Sequence, residues 1–371
     1  MRFCKRRKVK YTNRMNGGDL LGEGGYGCAF SPPLKCRGKP KNTTNLVQKR
    51  VGKLTNDFDA YWEMVITKRL AQQPLAKNYF ILIEEECDLD NRQEQSDPQL
   101  KDCEAIEGKR ITNFKQLTMA YGGTPLSMTK INILKFDIFS FIQHLLEGGA
   151  LLLLSGISHM DLHPENILMD EFNVPRFIDF GMAIVPEKLD STTIEFLKKP
   201  PNFQYMQEPP ELALLWAALA GSLDEDTPGE IVKEKEIFRD IEAYFGERNA
   251  ETEIEIFWNS SKSIQNKDAV ACIKTYWPQH DAWSIGTIIV HLLKQFTYYR
   301  EFQNNPTYSR NKEVIEKVVK GLLEPSPMKR YDAIEALSVL MSGSDESYVL
   351  SELGNEWLAV RKSQRTPQTQ S

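Results

Sequence analysis

The sequence has no apolar run long enough to cross a membrane and no large excess of charge of either sign. Its apolar runs, such as Ala150 to Leu154, all fall far short of the ~20 residues that a transmembrane helix needs. The N-terminal residues contain no apolar segment of the signal-peptide type. The formal net charge is −5, too small to recruit nucleic acid through a global field. We therefore expect an intracellular protein with no membrane partner and no specific nucleic-acid partner.

Local cysteine motifs are absent as well. The cysteines form no Cys-x-x-Cys pair and have no histidine at zinc spacing; they are Cys4, Cys28, Cys36, Cys87, Cys103 and Cys272. Such a pattern disfavours both a disulfide framework and a zinc site. We therefore expect free thiols and a reducing compartment.

A chain of 371 residues, 41% of them apolar, is long for one hydrophobic core and normal for two, so the length favours two lobes. Residues 1–16 are rich in arginine and lysine and poor in apolar side chains, which is typical of a flexible, solvated arm. Nuclear import is the alternative role of such a basic cluster. Residues 362–371 form a polar tail.

Residues 159–181 carry the densest set of candidate catalytic side chains. Asp161 and Asn166 lie five residues apart on a segment broken by proline, so both can leave a loop toward one small volume. Short apolar runs on either side of residues 170–173 predict a β-hairpin. Because a hairpin brings its two ends together, we expect Asp179 to lie near the other two side chains.

These residues offer two carboxylates and one amide, hard oxygen donors that suit Mg²⁺ held partly by phosphate oxygens. The stretch resembles the protein-kinase signature H-R-D-L-x-x-x-N followed by D-F-G. The resemblance implies that Asp161 is the catalytic base and that Asn166 and Asp179 bind Mg²⁺ or Mn²⁺ beside ATP. In the competing interpretation, Asp-Phe-Gly is an ordinary turn and His159 a buried core histidine.

A glycine-rich segment at residues 20–30 predicts a strand, a turn and a second strand that fit G-x-G-x-x-G. Its glycines are Gly22, Gly24, Gly25 and Gly27. A dinucleotide-binding turn would open directly into a helix, which the Ser-Pro-Pro that follows disfavours. In the kinase version the turn backbone approaches the ATP phosphates, and Ala29 covers adenine less fully than the usual valine.

The kinase lysine that bridges the α- and β-phosphates is predicted at Lys49, at the end of a β-type run, with Arg50 and Lys53 as neighbouring alternatives. Apolar residues at helical spacing predict a helix over residues 58–70. Glu63 lies on this helix, and the resemblance implies that it forms the family's ion pair with the lysine.

Residues 116–126 resemble the strand and hinge that join the two kinase lobes. The resemblance implies that Met119 is the gatekeeper and that Ala120 and Tyr121 offer backbone groups to adenine. Leu168, on the predicted hairpin, completes the nucleotide contacts.

Further motifs follow in the family's order. The resemblance implies an activation segment from Gly181 to Glu211. It contains Ser191, Thr192, Thr193 and Tyr205 and closes in Pro-Pro-Glu211, which resembles A-P-E. Residues 281–286 resemble the opening of kinase helix F, where Asp281 would cap the helix and hold the catalytic loop. Arg330 occupies the place of the arginine that pairs with the A-P-E glutamate, so we expect an ion pair with Glu211.

Four other segments are assigned by pattern alone. Residues 79–83 predict a strand, and residues 131–156 a helix with Leu134 on its apolar stripe. Residues 84–108 are acidic and polar, which predicts an exposed, poorly structured insertion. Residues 212–280 exceed the usual kinase length, and their charged, helix-favouring sequence predicts an inserted helical element.

Three departures from the family pattern concern the catalytic region. Met160 replaces the arginine that reads a phosphorylated activation loop. His163 replaces the lysine that neutralises the transferring phosphate, and histidine is only partly charged at neutral pH. Gln204 stands near the position of the expected threonine. We therefore expect activity that does not require phosphorylation of the loop, turnover that is slow or favoured at lower pH, and an unusual peptide-binding loop.

Together the motifs predict an α+β, two-lobed protein-kinase-like fold, with an antiparallel β-sheet N-lobe over residues 17–121 and a mainly α-helical C-lobe over residues 122–361. The implied activity is ATP-dependent phosphorylation of serine or threonine in a protein substrate. The wording Gly-Gly-Tyr-Gly-Cys and Pro-Pro-Glu-Leu is similar to that of serine/threonine kinases of large DNA viruses. The host cytoplasm or the virion would be its location, or the nucleus through the basic arm. The alternatives are a kinase of aminoglycosides, choline or similar small molecules, and a nucleotide-binding scaffold with weak activity.

Overall fold

The computed structural model describes residues 19–24, 27–38, 49–92, 100, 102–246, 249–342 and 347–365. The predicted basic arm, Gly25 and most of the polar tail lie outside these residues. The chain divides into two compact units, residues 1–68 with 81–122 and residues 69–80 with 123–371. An antiparallel sheet characterises the first unit and helices the second, so the α+β class predicted from the sequence is confirmed.

The first unit is built on an antiparallel sheet. Its strands are β1 (Asp19–Gly24), β2 (Gly27–Ser31), β3 (Arg50–Asn56), β4 (Ile83–Asp88) and β5 (Phe114–Ala120), in the spatial order β1-β2-β3-β5-β4. Because alternate side chains of a strand face the same side, Cys28 and Phe30 of β2 enter one core cluster together with Leu54 of β3.

β1 and β2 form the predicted glycine-rich hairpin, with Gly24 paired to Gly27. Gly27 has a φ of +156°, and an added Cβ there would lie 1.9 Å from the carbonyl oxygen of Leu54. Only glycine therefore fits at this close approach of two strands. The two strands predicted from the sequence are confirmed.

Helix α1 (Asp57–Leu70) confirms the helix predicted over residues 58–70. The strand predicted over residues 79–83 is wrong, because a short helix, α2 (Ala76–Tyr79), ends there and β4 begins only at Ile83. β4 is rich in glutamate and lies at the edge of the sheet, where acidic side chains can face solvent.

The segment 84–108, predicted to be exposed and poorly structured, forms defined structure where it is described. It begins within β4, and two disulfides attach it to the preceding chain, Cys28–Cys103 and Cys36–Cys87. The prediction of free thiols is therefore wrong for these four cysteines.

Spacing motifs could not reveal these bonds, because the paired cysteines lie 75 and 51 residues apart. Disulfides persist mainly in oxidising surroundings, which disagrees with the reducing compartment predicted from the sequence. Among the described cysteines, Cys272 is free, and it is buried.

The second unit is mainly helical. Its helices are α3 (Ile138–Leu154), α4 (Ser191–Leu197), α5 (Pro210–Ala220), α6 (Thr227–Glu234), α7 (Glu236–Phe245), α8 (Ala250–Ser260), α9 (Lys262–Gln265), α10 (Ala269–Tyr276), α11 (His280–Phe296), α12 (Arg300–Gln303), α13 (Pro306–Leu322), α14 (Ala333–Leu340) and α15 (Asn355–Arg365). A small antiparallel sheet joins β6 (Thr124–Pro125), β7 (Ile167–Met169) and β8 (Pro175–Phe177). Over the described part of the chain, none of the helices is long and apolar enough to span a membrane.

Helix α3 begins later than the predicted start at residue 131. Asp137 caps it, since its side chain accepts the N–H of Ser140 at 3.1 Å. Leu134, predicted on the apolar stripe, precedes the helix and is 63% exposed. That part of the prediction is wrong.

The helical character predicted for residues 212–280 is confirmed by α6 to α10. The charged stretch over residues 230–242 forms two helices rather than one. They meet at Lys235, whose backbone is extended and whose side chain is fully buried. This buried lysine is the single residue between α6 and α7.

Replacing Cys103 by serine is expected to lower the free energy of unfolding by about 2–4 kcal/mol, because the disulfide constrains the unfolded chain. Chemical unfolding with and without a reducing agent measures the effect, and wild type and variant should converge in the reducing agent. Peptide mapping without reduction should recover both cysteine pairs. Unlinked cysteines at these positions would contradict the structure.

Candidate functional site

The loop between α3 and β7 is held at its start by one buried carboxylate. Asp281, in the first turn of α11, accepts the N–H groups of His159 and Met160 at 2.7 and 3.1 Å. The prediction that Asp281 holds this loop is confirmed. The prediction that it caps its own helix is wrong, because the N-cap is Gln279 and the oxygens of Asp281 serve the loop.

His159 links the loop to the chain that precedes Asp179. Its Nε2–H donates to the carbonyl of Ile178 at 2.9 Å, and its ring packs on Phe180 with 5.0 Å between centroids. Met160 adopts a left-handed backbone with a φ of 65°, which turns the chain directly before Asp161. These contacts give the loop a defined conformation although it lacks regular secondary structure.

Asp161 and Asn166 are brought together as predicted. The side-chain amide of Asn166 donates to the backbone carbonyl of Asp161 at 2.9 Å and approaches its Oδ2 at 3.4 Å. Burial raises the pKa of Asp161, but the neighbouring His163 and the hydroxyl of Tyr205 outweigh it and bring the pKa to about 2. Asp161 is therefore an ionised carboxylate at neutral pH.

Each oxygen of the Asp161 carboxylate has a neighbour. The Nε2 of His163 lies 3.7 Å from Oδ2, and the hydroxyl of Tyr205 donates to Oδ1 at 2.9 Å. Sequence reasoning placed Tyr205 only within the activation segment and missed this contact, since no motif links two residues that lie 44 positions apart. Burial and the charge of Asp161 raise the pKa of Tyr205, so its hydroxyl keeps its proton.

The predicted hairpin is confirmed by the antiparallel pairing of β7 with β8. Its far end returns to the loop, because the N–H of Ile178 donates to the carbonyl of Asn166 at 3.0 Å. Asp179 follows in a left-handed conformation with a φ of 64°. Asp179 is therefore the residue directly after Ile178, whose N–H is bonded to the carbonyl of Asn166.

Asn166 and Asp179 suit a hard divalent cation by their chemistry. The amide nitrogen of Asn166 is directed at Asp161, which leaves the amide oxygen as the atom that could face a metal. Asp179 adds a carboxylate, and carboxylate and amide oxygens are the protein ligands that Mg²⁺ prefers.

In the first unit, Glu63 forms its predicted ion pair with a different lysine. The Nζ of Lys53 lies 2.6 Å from the Oε1 of Glu63, with side chains 13% and 3% exposed. Lys49 is exposed, with its Nζ 5.4 Å from the ring centroid of Tyr121. The prediction that Lys49 pairs with Glu63 is therefore wrong.

The bounds of β3 separate the two lysines, whereas strand alternation does not, because residues four positions apart lie on the same face of a strand. Lys53 lies at the centre of β3, opposite Ala29 and Leu117. Its neighbours Gly52 and Leu54 are buried on the other face of the strand. The apolar run before Lys49 led to the prediction of a strand that ends at this lysine, whereas the described strand begins only after it.

The other predicted nucleotide-binding residues lie within the two units as follows. The first unit contains Gly22, Gly24, Gly27, Ala29, Met119, Ala120 and Tyr121, and β7 of the second unit contains Leu168. Gly25 lies outside the described residues. Their nucleotide contacts remain predictions.

The predicted ion pair between Glu211 and Arg330 is confirmed. Arg330 donates to both carboxylate oxygens at 2.7 and 2.9 Å, and both side chains are fully buried. The guanidinium also stacks on Trp283, 4.8 Å from the ring centroid. Such bidentate geometry fixes Glu211, at the start of α5, on the body of the second unit.

The second unit therefore presents the ionised carboxylate of Asp161 and the neighbouring amide of Asn166 on a loop whose backbone is held by Asp281. A carboxylate in this setting can orient a hydroxyl and accept its proton. No protein-family model matches the chain.

Buried His280 is expected to make the protein sensitive to acid. Burial lowers its pKa to about 3, and Arg330 adds to this effect; neither ring nitrogen has a hydrogen-bond partner among the described residues. The unfolded chain binds this proton near pH ~6.5. As the pH falls from there toward 3, stability should therefore decrease by up to about 1.4 kcal/mol per pH unit.

Denaturant unfolding of wild type and His280→Asn between pH 7.5 and 5 tests this expectation. All other titrating groups are common to both proteins, so the difference in pH slope isolates His280. The variant should show the shallower loss of stability toward acid. Equal slopes would contradict a neutral, buried imidazole.

Proposed function

We propose that the protein is an ATP-dependent serine/threonine protein kinase with a two-lobed kinase fold. The observation that carries the proposal is the loop of the second unit, where Asp161 and Asn166 contact each other on a backbone held by Asp281. The order of the remaining motifs, from the glycine-rich hairpin to Arg330, supports the same function.

In the proposed reaction the acceptor hydroxyl donates a hydrogen bond to Asp161. Its oxygen attacks the γ-phosphorus, the bond to the β,γ-bridging oxygen breaks, and the hydroxyl proton passes to Asp161 while ADP leaves. With a pKa of about 2, Asp161 is a weak base, so its main contribution is to orient the hydroxyl. His163, beside Oδ2, is placed to contribute positive charge when it is protonated.

Asn166 and Asp179 would hold Mg²⁺, which when bound neutralises negative charge on the phosphate oxygens. We propose Lys53, rather than Lys49, as the phosphate-binding lysine. Its ion pair with Glu63 fixes the ammonium at the centre of a strand, whereas Lys49 is exposed at the strand's start. Preorganised cations of this kind stabilise charge in the transition state.

Phosphorylation of a small alcohol is the alternative, and His163, two residues after Asp161, is the feature that favours it. A protein acceptor is favoured by the anchored end of the activation segment, where Glu211 is paired with Arg330. That anchor gives the segment a fixed surface on which a peptide could bind.

The test is transfer of labelled γ-phosphate from Mg-ATP by wild type, Asp161→Asn, Lys53→Met and Lys49→Met. A generic protein substrate and, separately, aminoglycosides and choline serve as acceptors. We expect label on serine or threonine, a loss of at least about 100-fold in Asp161→Asn, and a loss of roughly 100-fold in Lys53→Met. Lys49→Met is the matched control and should stay close to wild type.

The outcomes separate the candidate functions. Label only on a small alcohol would favour the small-molecule kinase. Nucleotide binding without any transfer would favour the scaffold. Equal transfer by wild type and Asp161→Asn would contradict the proposed role of the loop. Loss of transfer in Lys49→Met with retention in Lys53→Met would identify Lys49 as the phosphate-binding lysine.

A further inference from the structure

The backbone at residues 205–207 is held by three side-chain donors of the second unit. The Nζ of Lys235 donates to the carbonyl of Tyr205 at 2.7 Å. The Nε1 of Trp283 and the Oγ of Ser284 donate to the next two carbonyls at 2.9 and 2.8 Å. Three consecutive carbonyls with fixed donors give this short, irregular stretch a single backbone path.

Lys235 reaches this stretch from the inserted helices. It lies between α6 and α7 and is fully buried. Burial lowers its pKa to about 8, while the carboxylates of Glu208 and Glu211 act in the opposite direction. The lysine is therefore largely protonated at neutral pH, and a buried ammonium needs hydrogen-bond acceptors such as the Tyr205 carbonyl.

The side chain of Tyr205 ends at the candidate base. Its hydroxyl donates to the Oδ1 of Asp161 at 2.9 Å. The first turns of α11 hold both partners of this hydrogen bond. Asp281 holds the loop that carries Asp161, and Trp283 and Ser284 hold the stretch that carries Tyr205. The hydroxyl is thus a fixed part of the site, and it restrains the carboxylate from rotating.

We propose that Tyr205 is a positioning residue that orients the Asp161 carboxylate through its hydroxyl, and that the inserted helices, through Lys235, hold Tyr205 in place. This inference rests on the proposed phosphotransferase function. A carboxylate with one oxygen restrained keeps the direction of the other, which favours a productive geometry for the acceptor hydroxyl. The inserted segment thereby acquires a role in the transfer site.

Steady-state kinetics of Tyr205→Phe, Lys235→Met and the double variant test the proposal, with Mg-ATP and a generic protein acceptor. Tyr205→Phe removes only the hydroxyl and should lower kcat roughly tenfold, with the KM for ATP unchanged. Lys235→Met should lower kcat to a smaller extent. In the Tyr205→Phe background, Lys235→Met should have almost no further effect, because both act through the same hydroxyl.

Lys233→Met, at an exposed position of α6, is the matched control, and thermal melts establish that each variant is folded. A merely structural role of Lys235 would give losses that multiply in the double variant, which would overturn the coupling. A kcat of Tyr205→Phe equal to wild type would overturn the positioning role. A higher kcat would also overturn it, and would identify the hydroxyl as an inhibitory occupant.

The result also distinguishes this inference from the function on which it rests. No transfer by wild type would overturn both. Transfer by wild type that depends on Asp161 but not on Tyr205 would overturn this inference alone. If Lys235→Met fails to fold, Tyr205→Phe alone decides the positioning role.

Discussion

The conformation of the loop that carries Asp161 and Asn166 depends on the buried carboxylate of Asp281. This carboxylate accepts two N–H groups, those of His159 and Met160, from a loop without regular secondary structure. Buried donors of this kind are costly when unpaired. Burial raises the pKa of Asp281, whereas His159 and the two N–H groups favour its ionised form. Asp161 and Asn166 therefore extend from a backbone that is already fixed.

Helix α11 provides a common frame for several parts of the site. Its first turns hold the loop through Asp281 and the Tyr205 stretch through Trp283 and Ser284. Trp283 also stacks on Arg330, the partner of Glu211. Sites supported by a rigid element keep their geometry better than sites made of loops alone. The buried helix thus links packing in the second unit to the orientation of its candidate catalytic carboxylate.

The sequence predicted those features that depend on short spacing or on a motif with a known partner. The contact of Asp161 with Asn166, the hairpin after it and the pair of Glu211 with Arg330 are of this kind. It could not predict contacts set by tertiary packing alone. Tyr205 meets Asp161 across 44 residues, and both disulfides join distant cysteines. The lysine partner of Glu63 was misplaced because the sequence pattern ended the strand at Lys49, whereas β3 runs from Arg50 to Asn56.

If the proposed function is right, Asp281 positions the loop for phosphoryl transfer. The direct test is the rate of γ-phosphate transfer by Asp281→Asn, whose side-chain amide can no longer accept both N–H groups. Asp268→Asn, an exchange at the N-cap of α10 away from the loop, is the control. We expect Asp281→Asn to be folded but at least about tenfold slower than wild type, and the control to be unchanged. A folded Asp281→Asn with wild-type rate would contradict the account.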